Sequence, residues 1–245
     1  MNAPIPQANR VVLVTGFEAN DPPHRNASAM LVEALTQDLT GLQHAAGGAE
    51  VRTSLMPGDT AGLAVSLEAA LSEQPRPTHL LLLGQAPGRS RITLERFATN
   101  LCDFGSPDRY GNLPRNVPVV QGGPPAFCST WPEQMSLVAA LNAASIPAAM
   151  SNDAGNHLCN QLLYLALHAA VKGGHPCAIT FVHIPMLPQQ VIAEEPMTVR
   201  HPNCPYLPLP ILIDAIGHLL RAAFLPRMIS GEISRGQVSE PDSAG

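Results

Sequence analysis

The chain has 245 residues, 45% of them hydrophobic and 13% charged, with a formal net charge of −5. That length and apolar content suit one large domain or two small ones with a sizeable core. The acidic balance argues against a nucleic-acid partner, which calls for a basic face, and no run of 18 apolar residues marks a membrane span. The opening Met1-Asn2-Ala3-Pro4-Ile5-Pro6-Gln7 lacks the basic region and apolar stretch of a secretory signal. Five cysteines, at 102, 128, 159, 177 and 204, are odd in number and form no CxxC. This weakens zinc and redox readings and favours a reduced, cytoplasmic protein.

In chain order, residues 1–10 read as a flexible arm. The continuous apolar run 11–14, ending at Thr15-Gly16, predicts a strand buried on both faces. Met30, Leu31, Leu35 and Leu39 are spaced for a helix over 27–40, with Asn26 as its N-cap. A second strand is expected at 50–56, then a helix capped by Asp59 and running to about Leu71. His79-Leu80-Leu81-Leu82-Leu83-Gly84 is the clearest strand, and Gln85-Ala86-Pro87-Gly88-Arg89 follows it as a loop. Residues 101–131, rich in Gly, Pro, Asp and Asn, predict an irregular excursion. Pro132 opens a helix to about Ala144, and residues 146–150 form a strand that feeds a helix containing Cys159. Residues 177–183 are the next strand, 194–210 a Pro-rich loop and 211–224 the last helix. The polar segment 229–245 reads as a disordered tail.

Alternating strands and helices argue for an α/β domain with a mostly parallel sheet and helices on both faces. Active sites of such sheets collect at the carboxyl ends of the strands. This gives a reason to consider Gln85, Arg89, Cys159 and His183 together. Ser151-Asn152-Asp153-Ala154-Gly155-Asn156-His157-Leu158-Cys159-Asn160 places Cys159 in the first turn of a helix, where the dipole favours a thiolate. Read alone, Cys159 equally suits a small core hydrophobe. A thiol nucleophile needs a base and a group to orient it. His183, ending an apolar strand before Ile184-Pro185, is the best placed of nine histidines. The residues leave the acid open among Glu95, flanked by arginines, and Asp103, Asp108 and Asp153. A phosphate loop is disfavoured, because Gly84 to Gly88 lacks the Lys-Ser/Thr pair.

Three segments together resemble pyroglutamyl peptidase of type I, a cysteine peptidase family. They are Gly84-Gln85-Ala86-Pro87-Gly88-Arg89 through Ile92-Thr93-Leu94-Glu95-Arg96-Phe97-Ala98-Thr99-Asn100, the Ser151-to-Asn160 stretch, and Phe181-Val182-His183-Ile184-Pro185 with Pro188-Gln189-Gln190. Val14-Thr15-Gly16-Phe17-Glu18 and Pro125-Ala126-Phe127-Cys128-Ser129-Thr130 also match, so the resemblance spans about residues 11 to 225 in order. It implies a single three-layer α/β/α domain, here 11–228, with a mostly parallel twisted central sheet. It further implies Cys159 as nucleophile, His183 as base and acid, and Glu95 as orienter. Phe17 and Gln85 would contact the pyrrolidone ring, and Arg89 would lie near the developing oxyanion. No cofactor or metal is implied, and the assembly would be a homo-oligomer, dimer or tetramer.

The chain departs from the family around the substrate. Where the family continues Gly-Phe-Glu-Pro-Phe-Gly-Gly, this sequence has Gly16-Phe17-Glu18-Ala19-Asn20-Asp21-Pro22, so Asn20 replaces an aromatic wall. Loss of one such wall weakens ring binding by about 1–3 kcal/mol. His157 stands where the family has Tyr or Phe, Leu55-Met56-Pro57 replaces Leu-Pro-Val, and 202–210 has no counterpart. The expected substrate is a pyroglutamyl peptide. The alternatives are another small N-acyl amide cut by the same mechanism, or a silent binding protein on the same fold.

Overall fold

The computed structural model of the chain describes residues 10–19, 25–174, 176–201 and 203–225. The expected arm, apart from Arg10, and the expected tail fall outside these residues. The elements in order are β1 (Val11–Phe17), α1 (Ala27–Thr36), α2 (Leu39–Ala45), β2 (Glu50–Met56), α3 (Thr60–Ser72), β3 (His79–Gln85), β4 (Ile92–Glu95), β5 (Phe97–Thr99), β6 (Ala126–Cys128), α4 (Gln134–Ala143), β7 (Ala148–Ser151), α5 (Leu158–Gly173), β8 (Ala178–Ile184), α6 (Pro188–Ile192), α7 (Pro196–Val199) and α8 (Leu209–Phe224).

Six strands form the central sheet in the order β2-β1-β3-β8-β4-β7. The pairs β1–β2, β1–β3 and β3–β8 are parallel. Side chains alternate across it. Val12, Val14, Leu81, Leu83, Val182 and Ile184 pack on one face with residues of α1, α2, α4 and α8. Leu13, Leu80, Leu82, Ile179 and Phe181 pack on the other with α3 and α5. The result is the expected three-layer arrangement, and unbroken apolar runs such as 80–83 follow from burial on both faces.

β4 and β7 run against the other four strands. β4 pairs antiparallel with β8, matching Thr93 with His183 and Glu95 with Phe181, and parallel with β7. The carboxyl ends therefore do not all gather at one edge. Those of β1, β3 and β8 do, whereas residues 152–157 carry the chain back from β7 to the start of α5.

Side-chain caps set the starts of α1, α2 and α3. Ser28 N–H donates to Asn26 Oδ1 at 2.9 Å and Gly62 N–H to Asp59 Oδ1 at 2.6 Å, as expected of those caps. The helix expected over 27–40 is interrupted because Asp38 starts a second one, accepting from Gly41 N–H at 2.9 Å. The excursion 101–131 is less irregular than expected, since its end forms β6, which pairs with β5 in a two-stranded ribbon. The Pro-rich segment contains the short helix α7.

The ribbon is held to α5 by Asn160, which is 1% exposed. Its Oδ1 accepts from Thr99 N–H at 2.9 Å, and its Nδ2 donates to the carbonyls of Thr99 and Leu101 at 2.9 and 3.0 Å. Asn160→Ala removes all three bonds and strands buried backbone groups. We expect a cost of about 2–4 kcal/mol in chemical denaturation; an unchanged midpoint would contradict this role.

Candidate active site

Glu95 and His183 meet across the antiparallel β4–β8 pair. Glu95 is opposite Phe181, so His183 is its diagonal neighbour, within reach of a long side chain. Glu95 Oε1 lies 2.8 Å from His183 Nδ1. The same oxygen receives Arg89 Nη1 at 2.5 Å, and Thr93 Oγ1 donates to it at 3.3 Å. Arg89 also donates to Thr93 Oγ1, and through Nη2 to the carbonyl of Asp153 at 2.8 Å. This ties the loop after β3 to the turn before α5.

Cys159 approaches from α5. It is the second residue of the helix, after the N-cap His157, whose side chain makes no capping bond. The place it fills is set by Gly84. Gly84 is the register partner of His183, so a Cβ on it would point to the face that carries the imidazole. Such a Cβ would stand 2.9 Å from Cys159 Sγ and 2.7 Å from Phe181 Cζ. Only glycine lets the thiol settle over β3 at the position that pairs with His183. In the sequence Gly84 closes an apolar run and opens the first family-like segment, but neither signal places it under the thiol.

The electrostatics differ from those of an exposed helix terminus. Burial pushes the Cys159 thiol up to about 12, the charge of Glu95 adds to this, and Arg89 and the residue's own N–H oppose it. Burial also holds His183 below the ordinary imidazole value, although Glu95 pulls the other way. For Glu95, burial disfavours the charge, but the His183 contact and Arg89 outweigh it and hold the carboxyl below its usual range. The pair is thus a neutral thiol and a neutral imidazole, next to an ionised carboxylate. The dipole-stabilised thiolate expected from the helix position is overridden by desolvation.

Cys159 opens into a pocket of about 350 Å³, lined by Phe17, Gln85, His157 and Leu158 among others. That volume lies in the range of small-ligand sites. Phe17, 4% exposed, packs against Phe181 with ring centroids 6.5 Å apart. Its N–H donates to Ser28 Oγ, and a Cβ on Gly16 would stand 2.5 Å from the Ser28 carbonyl, so Gly16 lets α1 close against β1. Gln85 Oε1 accepts from Ala27 N–H at 2.8 Å and from Gln190 Nε2 at 3.1 Å. Gln190 also donates to the Arg25 carbonyl, so three loops meet at Gln85. His157 stacks on Phe104 at 3.8 Å, and its Nε2 lies 3.0 Å from the Ser106 carbonyl. Arg89 sits against Glu95 and is not among the pocket-lining residues. Asn20 lies outside the described residues. Glu18, two positions before it, pairs with Arg109 at 2.6 Å. The other candidate acids are engaged elsewhere: Asp108 binds the backbone and side chains of 60 and 110–112, and Asp153 turns the chain at Gly155. Among the described residues no three His, Cys, Asp or Glu side chains converge as a metal site, and no helix is long and apolar enough to cross a membrane.

The family profile of pyroglutamyl peptidase matches residues 10–223. The chain belongs to the pyroglutamyl peptidase family. It is 37% identical over 181 residues to the pyrrolidone-carboxylate peptidase of Pyrococcus furiosus, covering 74% of this chain and 83% of that one. It is 38% identical over 204 residues to the same-named protein of Escherichia fergusonii, with 80% and 84% covered. Among solved structures, the pyroglutamyl peptidase I of Bacillus amyloliquefaciens superposes with a TM-score of 0.77 at 28% identity, covering 89% of this chain and 96% of that one. A variant of the Pyrococcus furiosus pyrrolidone carboxyl peptidase gives 0.77 at 32%, with 87% and 97% covered. Membership makes the chain a hydrolase of the peptidase class, and its α/β fold is that of the family.

Two outcomes follow from the geometry. Gly84→Ala should fold yet lose roughly 100-fold in kcat/KM, because Sγ is displaced from its place; parental activity in a folded variant would contradict the steric argument. Alkylation of Cys159 by iodoacetamide should rise by about tenfold per pH unit from pH 6 to 9, since the thiol ionises far above that range. A rate already level at pH 6 would indicate a preformed thiolate.

Proposed function

We propose that this family member is a cysteine omega-peptidase that removes an N-terminal pyroglutamyl residue, with Cys159, His183 and Glu95 as its triad. The observation that carries this reading is the 2.8 Å contact from Glu95 to His183 Nδ1, on the sheet face where Cys159 Sγ rests over Gly84. Glu95 fixes the ring with Nδ1 protonated, so Nε2 is the basic nitrogen. As Sγ attacks the pyroglutamyl carbonyl carbon, its proton passes to Nε2 and the carbonyl electrons move to oxygen. First-turn N–H groups of α5, without intrahelical acceptors, donate to that oxyanion. On collapse the C–N bond breaks, and Nε2 returns the proton to the leaving amine. Water, deprotonated by Nε2, then attacks the thioester, freeing pyroglutamate and the thiol.

Pyroglutamate is a small neutral lactam, and a buried, largely apolar pocket with a few polar groups suits it. We assign Phe17 to one face of the ring. Gln85 acts chiefly through the loops it joins, because its Oε1 receives Ala27 and Gln190. Arg89 acts through Glu95, which it keeps ionised, and through the turn at Asp153. Asn20 remains assigned to the substrate wall by its position in the opening motif. We further propose 11–228 as the catalytic unit, a homo-oligomeric assembly, and a cytoplasmic setting, for which the five free thiols speak.

The wild type should release the fluorophore from a pyroglutamyl amide. Cys159→Ala should abolish that release and Glu95→Gln should lower kcat roughly 10²- to 10⁴-fold. Wild-type inactivity alongside turnover of another N-acyl amide would overturn the substrate, and activity surviving Cys159→Ala would overturn the nucleophile.

A further inference from the structure

The Cys159 pocket has two unlike ends. Phe17 and Leu158, each 4% exposed, stand at the buried end, while the exposed rim carries Arg200 and His201. These two directly follow α7. Their segment is built into the site. His201 Nδ1 lies 3.1 Å from where a Cβ on Gly88 would stand, so its ring rests on the loop that follows β3. Further back, Gln190 donates both to Gln85 and, at 3.3 Å, to Glu195, which holds the start of α7 to the pocket floor. Thr198, 5% exposed, closes the turn by donating to the Glu195 carbonyl at 2.7 Å, and His201 N–H donates to the Thr198 carbonyl.

Among the described residues no acidic group answers the charge of this rim. The chain has 19 acidic and 14 basic residues, yet among the described residues no carboxylate lines the pocket. Among the described residues no carboxylate pairs with Arg200. The pyroglutamyl group is neutral, so it gives an arginine nothing to neutralise. A matching charge must come from the part of the substrate that leaves. An arginine presents several donors in a planar fork that fits a carboxylate.

We propose that Arg200 is a specificity residue that favours substrates with a carboxylate close to the scissile amide in the leaving portion. The carboxylate is either the side chain of an acidic residue following pyroglutamate or the free α-carboxylate of a pyroglutamyl dipeptide. This rests on the pyroglutamyl reading above. Because the contact is made before the chemistry and kept through it, its effect belongs mainly to KM.

The test measures kcat/KM for two matched pairs: pyroglutamyl-alanine against its amide, and pyroglutamyl-glutamate amide against pyroglutamyl-glutamine amide. At low salt the wild type should favour the charged member of at least one pair by roughly five- to tenfold. High salt should shrink that advantage. Arg200→Gln should bring the ratio close to one and Arg200→Lys should retain part of it. The pair that shows the preference identifies the carboxylate's source. A ratio taken within one protein cancels any loss of folded enzyme, and the wild-type ratios stand even if a variant fails to fold. Equal rates within both wild-type pairs, or a preference that survives Arg200→Gln, would overturn the assignment. Inactivity of the wild type on all four compounds would overturn the pyroglutamyl reading and this inference with it.

Discussion

A carboxylate with no solvent exposure sits at the centre of this molecule. Glu95 cannot be buried ionised without partners, and removing one partner from such a pair costs about 3–5 kcal/mol. His183, Arg89 and Thr93 all turn to the same oxygen of Glu95. To supply them the chain must fold residues 89–95 on themselves and bring them against the distant His183. β4 reverses direction beside β8, which sets Glu95 diagonal to His183. The loop after β3 returns Arg89 to the same point, and the second arm of Arg89 holds the Asp153 carbonyl. That contact fixes the turn that leads into α5, whose second residue is Cys159. The segment that leads to the thiol is therefore tied to the groups that solvate one charge.

The same enclosure governs the chemistry. Burial makes the charged forms of both Cys159 and His183 costly, so the pair rests neutral, and in the proposed mechanism it ionises as the bond to carbon forms. In the proposed mechanism the helix start serves as a source of donors for an oxyanion more than as a source of a low-pKa thiol. Gly84 is the steric counterpart of this arrangement, since the missing side chain is the space that Sγ occupies. Phe181 fills the other side of that space and packs against both Phe17 and the His183 ring. Phe17 in the pocket wall and the His183 imidazole are thereby parts of one packed cluster.

Much of this was legible in the sequence because it rests on local signals. Apolar runs bounded by glycine and proline marked β1, β3 and β8, and Asn26 and Asp59 marked helix starts by their capping chemistry. What escaped was non-local. Ile92-Thr93-Leu94-Glu95 is too short and too closely flanked by arginine to read as a strand, and no residue pattern states that it runs antiparallel. The split between α1 and α2 was missed because the apolar spacing continues through Asp38 while the backbone does not. Cys159, His183 and Glu95 could be picked out as a set only through ordered motifs. The place of Arg89 behind Glu95, and of Arg200 at the rim, depends on loops whose paths are set by tertiary contacts.

The central claim is that Cys159 becomes acylated by the pyroglutamyl group. The direct measurement is acid quenching of the enzyme during turnover of an activated pyroglutamyl ester, followed by mass analysis of its peptides. With so good a leaving group, acylation outruns hydrolysis and the intermediate accumulates. The account predicts one pyroglutamyl group, on the peptide that contains Cys159 and on none of the other four cysteines. A group carried by any other residue, or steady turnover by enzyme whose Cys159 has been alkylated, would contradict it.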